Sequence, residues 1–119
     1  TDLPGCIFRP LVFEPTSGKW GGVSCRGFQL HVTDAALFKP YRTGLALLQA
    51  LLLLYPEEFS YKDPPYEYEF ERLPMDLILG DQAVRIGLEQ GIEIAELECS
   101  WQEDLHRYRD RIKPVLLYE

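Results

Sequence analysis

Cysteine is scarce in this sequence, with three residues in 119, and the odd count does not suggest a disulfide framework. Cys6 and Cys25 each open a strand-like segment. If those strands pair antiparallel, each thiol lies near the far end of the other strand, about 20 Å away and beyond disulfide reach. Cys99 falls within a helical pattern and reads as a small buried hydrophobe. Basic residues are also few: 12 Lys and Arg against 19 Asp and Glu leave a formal charge of −7. That balance argues against nucleic acid and anionic membrane surfaces, both of which call for basic patches. No apolar run approaches the ~20 residues of a membrane-spanning helix. The two histidines, His31 and His106, are far apart and lack spaced cysteine or carboxylate partners, so no metal site is read. "GKWGG" does not lead from a strand into a helix as a phosphate-binding loop must. Ser17, Ser24, Ser60 and Ser100 have no neighbouring base for nucleophilic chemistry. No metal and no cofactor is therefore expected. The sequence starts at Thr1 without a methionine or a signal-like segment, and reads as a processed protein or an excised domain.

What is present is apolar material, 46% of residues, enough to predict one domain with a core that needs no metal or disulfide staple. "CIFRPLVF" (6–13) predicts a first strand, with Pro10 marking an edge position or a local break. A Gly- and Pro-rich loop, "EPTSGKWGGVS", separates it from a second strand, "CRGFQLHV" (25–32). Thr33 and Asp34 are good caps for the short turn "AALF". Pro40 then opens a helix through about Tyr55. Its leucines 45, 47, 48, 51, 52 and 54 cover nearly the whole surface, so this helix is expected to be central, with Gln49 as its polar interruption. "YEYEF" (66–70) alternates aromatic and acidic residues as a short strand does. Short helices are predicted at 75–79 and 82–90 with Gly91 as the stop, and a last helix over about 93–111. The apolar stripe of that helix, from Ile94 to Ile112, is expected to be core. "PVLLY" is a candidate final strand. This order predicts an α+β fold, a small antiparallel sheet with helices packed mainly on one face.

Strand parity puts Phe28, Leu30 and Val32 on the core side and Gly27, Gln29 and His31 on the other. Gln29 and His31 can each donate and accept hydrogen bonds. They suit a satisfied histidine at a sheet edge, or a polar ligand. Arg42 stands near a helix N-terminus, where a cation opposes the helix dipole, which fits either an anion-binding role or pairing with an acidic loop residue. Arg9, between Phe8 and Pro10, admits the same two readings. Trp20, in its Gly-flanked loop, can stack on a sugar ring or fold back onto the core. Asp34 is a cap that can also line a cleft.

The segments "LPGCIFRPLVFEPT", "KWGGVSCRGFQLHVTD", "YRTGLALLQALLLLYPEEF", "YEYEFERLPMDLILG" and "RIKPVLLYE" together resemble the C-terminal domain of the NamZ family over nearly the whole chain. The combination of C-x-G-x-Q-x-H-V-T-D with F-R-P and R-T-G is specific, though each piece alone is weak. Phe28 departs from the smaller aliphatic residue expected there. The family comprises exo-β-N-acetylmuramidases of bacterial peptidoglycan recycling, associated with secreted or periplasmic settings. The resemblance implies a substrate-binding, cleft-forming domain whose partner is a Rossmann-like N-terminal domain in the same full-length chain, carrying the catalytic glutamate. It implies a ligand containing N-acetylmuramic acid, contacted by Arg9, Trp20, Gln29, His31, Asp34 and Arg42, with Arg42 toward the lactyl carboxylate.

Glycoside hydrolysis usually needs two carboxyl groups flanking the scissile bond. No pair of acidic residues here has that context, and Glu67, Glu69 and Glu71 read as a solvated strand face. The chain by itself is therefore expected not to catalyse. The rival reading is a non-catalytic module that binds cell-wall glycan or another protein.

Overall fold

The computed structural model describes residues 2–118. Among them it has a two-stranded antiparallel sheet and five α-helices, an α+β fold. The chain divides into two compact units, Asp2–Tyr41 and Arg42 onward.

The first unit is a hairpin of β1 (Cys6–Phe13) and β2 (Cys25–Val32). Its register pairs Cys6 with Val32, Arg9 with Gln29 and Phe13 with Cys25, so the two thiols lie at opposite ends as expected. All three cysteines are free, and Cys99 is exposed rather than buried. The expected core face is only half covered: Phe8 and Phe28 meet edge to face at 5.1 Å, while Phe28 and Val32 stay exposed. The loop between the strands closes on itself through Gly22 N–H to the Pro15 carbonyl at 2.9 Å. After β2, the amides of Thr33 and Asp34 both donate to the Gly5 carbonyl, at 2.9 and 3.2 Å. Gly5 has a positive φ of 76°, and a Cβ there would lie 2.5 Å from the Asp34 carbonyl oxygen. Only glycine fits that approach.

The second unit holds the core. α1 (Pro40–Leu54), α3 (Gln82–Glu89) and α4 (Ile94–Ser100) supply its buried apolar residues, Leu45, Val84, Leu88, Ile94 and Leu97. Gly87 lets α3 and α4 close up, since a Cβ there would sit 2.5 Å from Leu97 Cδ2. Gln49, the polar break in the apolar run, donates to the Ile92 carbonyl at 2.7 Å and so ties α1 to the α3–α4 loop. α1 is less enclosed than its composition suggests: Leu45 is buried and Leu48 and Leu52 pack on the core, but Leu53 and Leu54 are 64% and 71% exposed. α2 (Pro74–Leu79) ends at Gly80 in the left-handed conformation, and Asp81 caps α3 through the Ala83 amide at 2.7 Å.

Three expected elements differ. "YEYEF" is a tight turn, not a strand: Tyr66 and Glu69 exchange amide-to-carbonyl bonds at 2.9 and 3.0 Å, and Glu67 takes a φ of 51°. The Glu69 carboxylate captures the amides of Glu71 and Arg72, in competition with any sheet ladder. The long final helix is broken at Trp101 (φ −107°, ψ 2°) into α4 and α5 (Gln102–Ile112). At the break the Ser100 hydroxyl donates to the Leu97 carbonyl at 2.7 Å. Its stripe is core only as far as Trp101, because α5 buries no residue. "PVLLY" opens with a single 3₁₀ turn, Lys113–Val115, and forms no strand among the described residues.

Candidate functional site

Directly opposed residues of an antiparallel pair project to the same face. The register therefore puts Ile7, Arg9, Leu11 and Phe13 on one face with Cys25, Gly27, Gln29 and His31. On it Arg9 stands opposite Gln29, and His31 is the next residue along that face. The His31 ring is not sealed in a core: it is half-buried, and Nε2 lies 3.2 Å from Gln29 Oε1. Arg9 is exposed and forms no ion pair with another described residue. The face thus combines a free guanidinium, an amide and an imidazole, bordered by the Phe13 ring, which lies 3.2 Å from where a Cβ on Gly27 would sit. Gly27 leaves room for that ring.

Asp34 is used as a cap. Its Oδ1 accepts the amides of Ala36 and Leu37 at 2.9 and 3.3 Å, and Phe38 N–H closes one helical turn on its carbonyl. Trp20 does not fold back: it is more than half exposed at the loop tip, with Lys19 Nζ 5.4 Å from its ring centroid. Arg42 belongs to the second unit. Its NH1 donates to Glu98 Oε2 at 2.7 Å, both side chains being 19% exposed, while its Nε is buried without a hydrogen-bond partner. Glu98 of α4 answers the question raised by a cation near a helix start. It comes from a helix, not from an acidic loop.

One constellation has no counterpart in the sequence reading. Arg85, 9% exposed, donates Nε to Asp76 at 2.5 Å and NH1 to Glu89 at 2.8 Å, and stands 5.8 Å from the Tyr61 ring. Hydrogen bonds to Asp76, then to Glu89, push its pKa up. Burial, reinforced by the Glu89 carboxylate, pushes Tyr61 up to about 12. The Arg85–Glu89 spacing of four on a helix is a legible pair. Nothing local marks Asp76 as its third member. Among the described residues no group of His, Cys, Asp and Glu is arranged to hold a metal ion, and no helix is long and apolar enough to cross a membrane.

The family model for the C-terminal part of exo-β-N-acetylmuramidase NamZ matches residues 1–118. The peptidoglycan β-N-acetylmuramidase NamZ of Bacillus subtilis (strain 168) is 31% identical over 98% of this chain. A crystal structure of a DUF1343 family protein from Bacteroides fragilis shares the fold, with a TM-score of 0.74 at 23% identity over 98% of the chain. The chain spans 26% of the length of the Bacillus relative and 30% of the Bacteroides structure. With all but one of its residues inside the family match, the chain belongs to the NamZ C-terminal domain family.

Proposed function

We propose that this chain is the substrate-binding, cleft-forming part of an exo-β-N-acetylmuramidase-like glycoside hydrolase acting on peptidoglycan fragments. A domain preceding it in a longer polypeptide would supply the catalytic carboxyl groups. The observation that carries the reading is the strand face on which Arg9, Gln29 and His31 stand in adjacent positions, the first two exposed, His31 half-buried, and none of them part of the buried core. The guanidinium suits the lactyl carboxylate of muramic acid, and the amide and imidazole suit acetamide and hydroxyl groups. Trp20 offers an aromatic face nearby in sequence, and Asp34 caps the turn that follows the strand. Arg42, held by Glu98, is a second proposed contact for an anionic group, in exchange for that carboxylate.

The test compares the intact gene product with the 119-residue chain on a chromogenic muramic acid glycoside. The intact protein should turn it over and the shorter chain should not. In the intact protein Gln29→Ala and His31→Ala should each raise KM about two- to ten-fold, the value of one hydrogen bond. An intact protein without turnover, or turnover by the 119-residue chain, would overturn the proposal.

A further inference from the structure

Beside α2 and the start of α3 lies a cavity of about 380 Å³. Its lining includes Glu71, Arg72, Asp76, Asp81 and Gln82, with Leu77 among its apolar contacts. The volume falls within the roughly 300–1,000 Å³ of small-ligand sites. Several of its polar groups are fixed from behind. Asp76 is held by Arg85 at 2.5 Å, Asp81 by the Ala83 amide at 2.7 Å, and the Arg72 guanidinium by Glu69 at 3.0 Å. Each keeps hydrogen-bonding capacity to spare, since a carboxylate offers about four lone-pair sites and a guanidinium five N–H donors. Groups held in this way bind without first being ordered.

The chemistry of the lining selects the ligand. Glu71, Asp76 and Asp81 repel anions, and no metal-holding arrangement exists among the described residues. Carboxylates only accept hydrogen bonds, so the ligand must bring donors. Gln82 and Arg72 answer its acceptors, and Leu77 an apolar face. The Tyr66–Glu69 turn leads straight into the rim at Glu71. It is closed by two backbone hydrogen bonds and presents Tyr68 at 94% exposure. Three steps along the chain take Tyr68 to Glu71, at most about 11 Å. An exposed aromatic ring close in the chain to a cavity lined with hydrogen-bond acceptors matches the apolar face and hydroxyl edge of a sugar ring.

We propose that this cavity and the Tyr68 turn form a second carbohydrate site that takes uncharged pyranose rings, such as N-acetylglucosamine. It is separate from the strand face and stands or falls independently of it. The test is titration of the full-length gene product with the N-acetylglucosamine disaccharide, followed by saturation-transfer NMR and calorimetry. Gln82→Ala and Tyr68→Ala, both at exposed positions, should each raise the dissociation constant three- to ten-fold with unchanged melting. N-acetylmuramic acid, an anion, should compete poorly. Absence of saturation transfer at millimolar disaccharide would overturn the proposal. So would unchanged binding in both variants, including the case where His31→Ala abolishes it and moves the sugar to the strand face.

Discussion

The Arg85 cluster allows the sharpest estimate of what one side chain contributes. Asp76→Asn keeps the shape of the residue and removes its charge. Arg85 then remains 9% exposed with Glu89 as its ion partner, itself 36% exposed. Removing one partner of a buried ion pair costs about 3–5 kcal/mol, because the other charge stays desolvated. The surviving Glu89 pair offsets part of this, so the expected loss is about 2–3 kcal/mol. For a domain of this size such a loss lowers the melting temperature by roughly 8–12 °C. The control is Arg72→Ala, which breaks the Arg72–Glu69 pair with its Arg72 side chain 70% exposed and should cost under about 1 kcal/mol. The assay is urea and thermal unfolding followed by circular dichroism, with the urea slope unchanged so that the midpoint reports stability. Arg85→Met combined with Asp76→Leu should recover much of the loss, since a well-packed apolar pair needs no charge compensation. A shift for Asp76→Asn no larger than that of Arg72→Ala would refute the reasoning.

The Arg42–Glu98 pair is half-way between surface and core, so Arg42→Ala and Glu98→Gln should each cost about 1–2 kcal/mol in unfolding experiments. If Arg42→Ala instead leaves melting unchanged and weakens only the use of muramic acid substrates, the residue is a ligand and not a brace. Glu69 is held down to about 2, chiefly by the amides of Glu71 and Arg72 and then by the Arg72 guanidinium. A depressed carboxyl stabilises the fold fully above its unfolded value of about 4.5 and loses that contribution as the pH falls through about 2. A carbon-detected NMR titration should show its midpoint near 2, with the Glu71 and Arg72 amides moving in step. A midpoint near 4.5 would mean that the turn is not clamped.

How much of this was legible depended on the range over which each feature is determined. β1, β2, the Asp34 cap and the starts of α1, α2 and α3 were readable because alternation, a capping side chain or a proline acts within a few residues. The family resemblance was legible too, being carried by motifs that lie in the same short segments. "YEYEF" failed because period-two alternation states only which side chains share a face. A strand also needs a partner, and here the Glu69 carboxylate competes for the amides that would seek one. The stripe from Ile94 to Ile112 was continuous in sequence but not in burial. Its upper half packs on Leu88 and Val84, and the break at Trp101 turns the rest away from that cluster.

The polar sites divide along the same line. Strand parity alone aligned Gln29 with His31, and only the cross-strand register brought Arg9 opposite Gln29. Glu98 lies 56 residues from Arg42, and Asp76, the partner of Arg85 that helix spacing does not mark, lies nine residues away. An arginine at a helix start or on a helix face shows that a counter-charge is needed, because a half-buried guanidinium is costly without one. It does not show which of 19 acidic residues supplies it. Helix packing makes that choice: Gly87 lets α4 approach α3, and Gln49 fastens α1 to the loop between them. Glu98 rides on α4, so its meeting with Arg42 at the start of α1 follows from apolar and glycine positions rather than from any charge pattern. In this chain the packing was decided by small and apolar residues, and the ionic contacts followed from it.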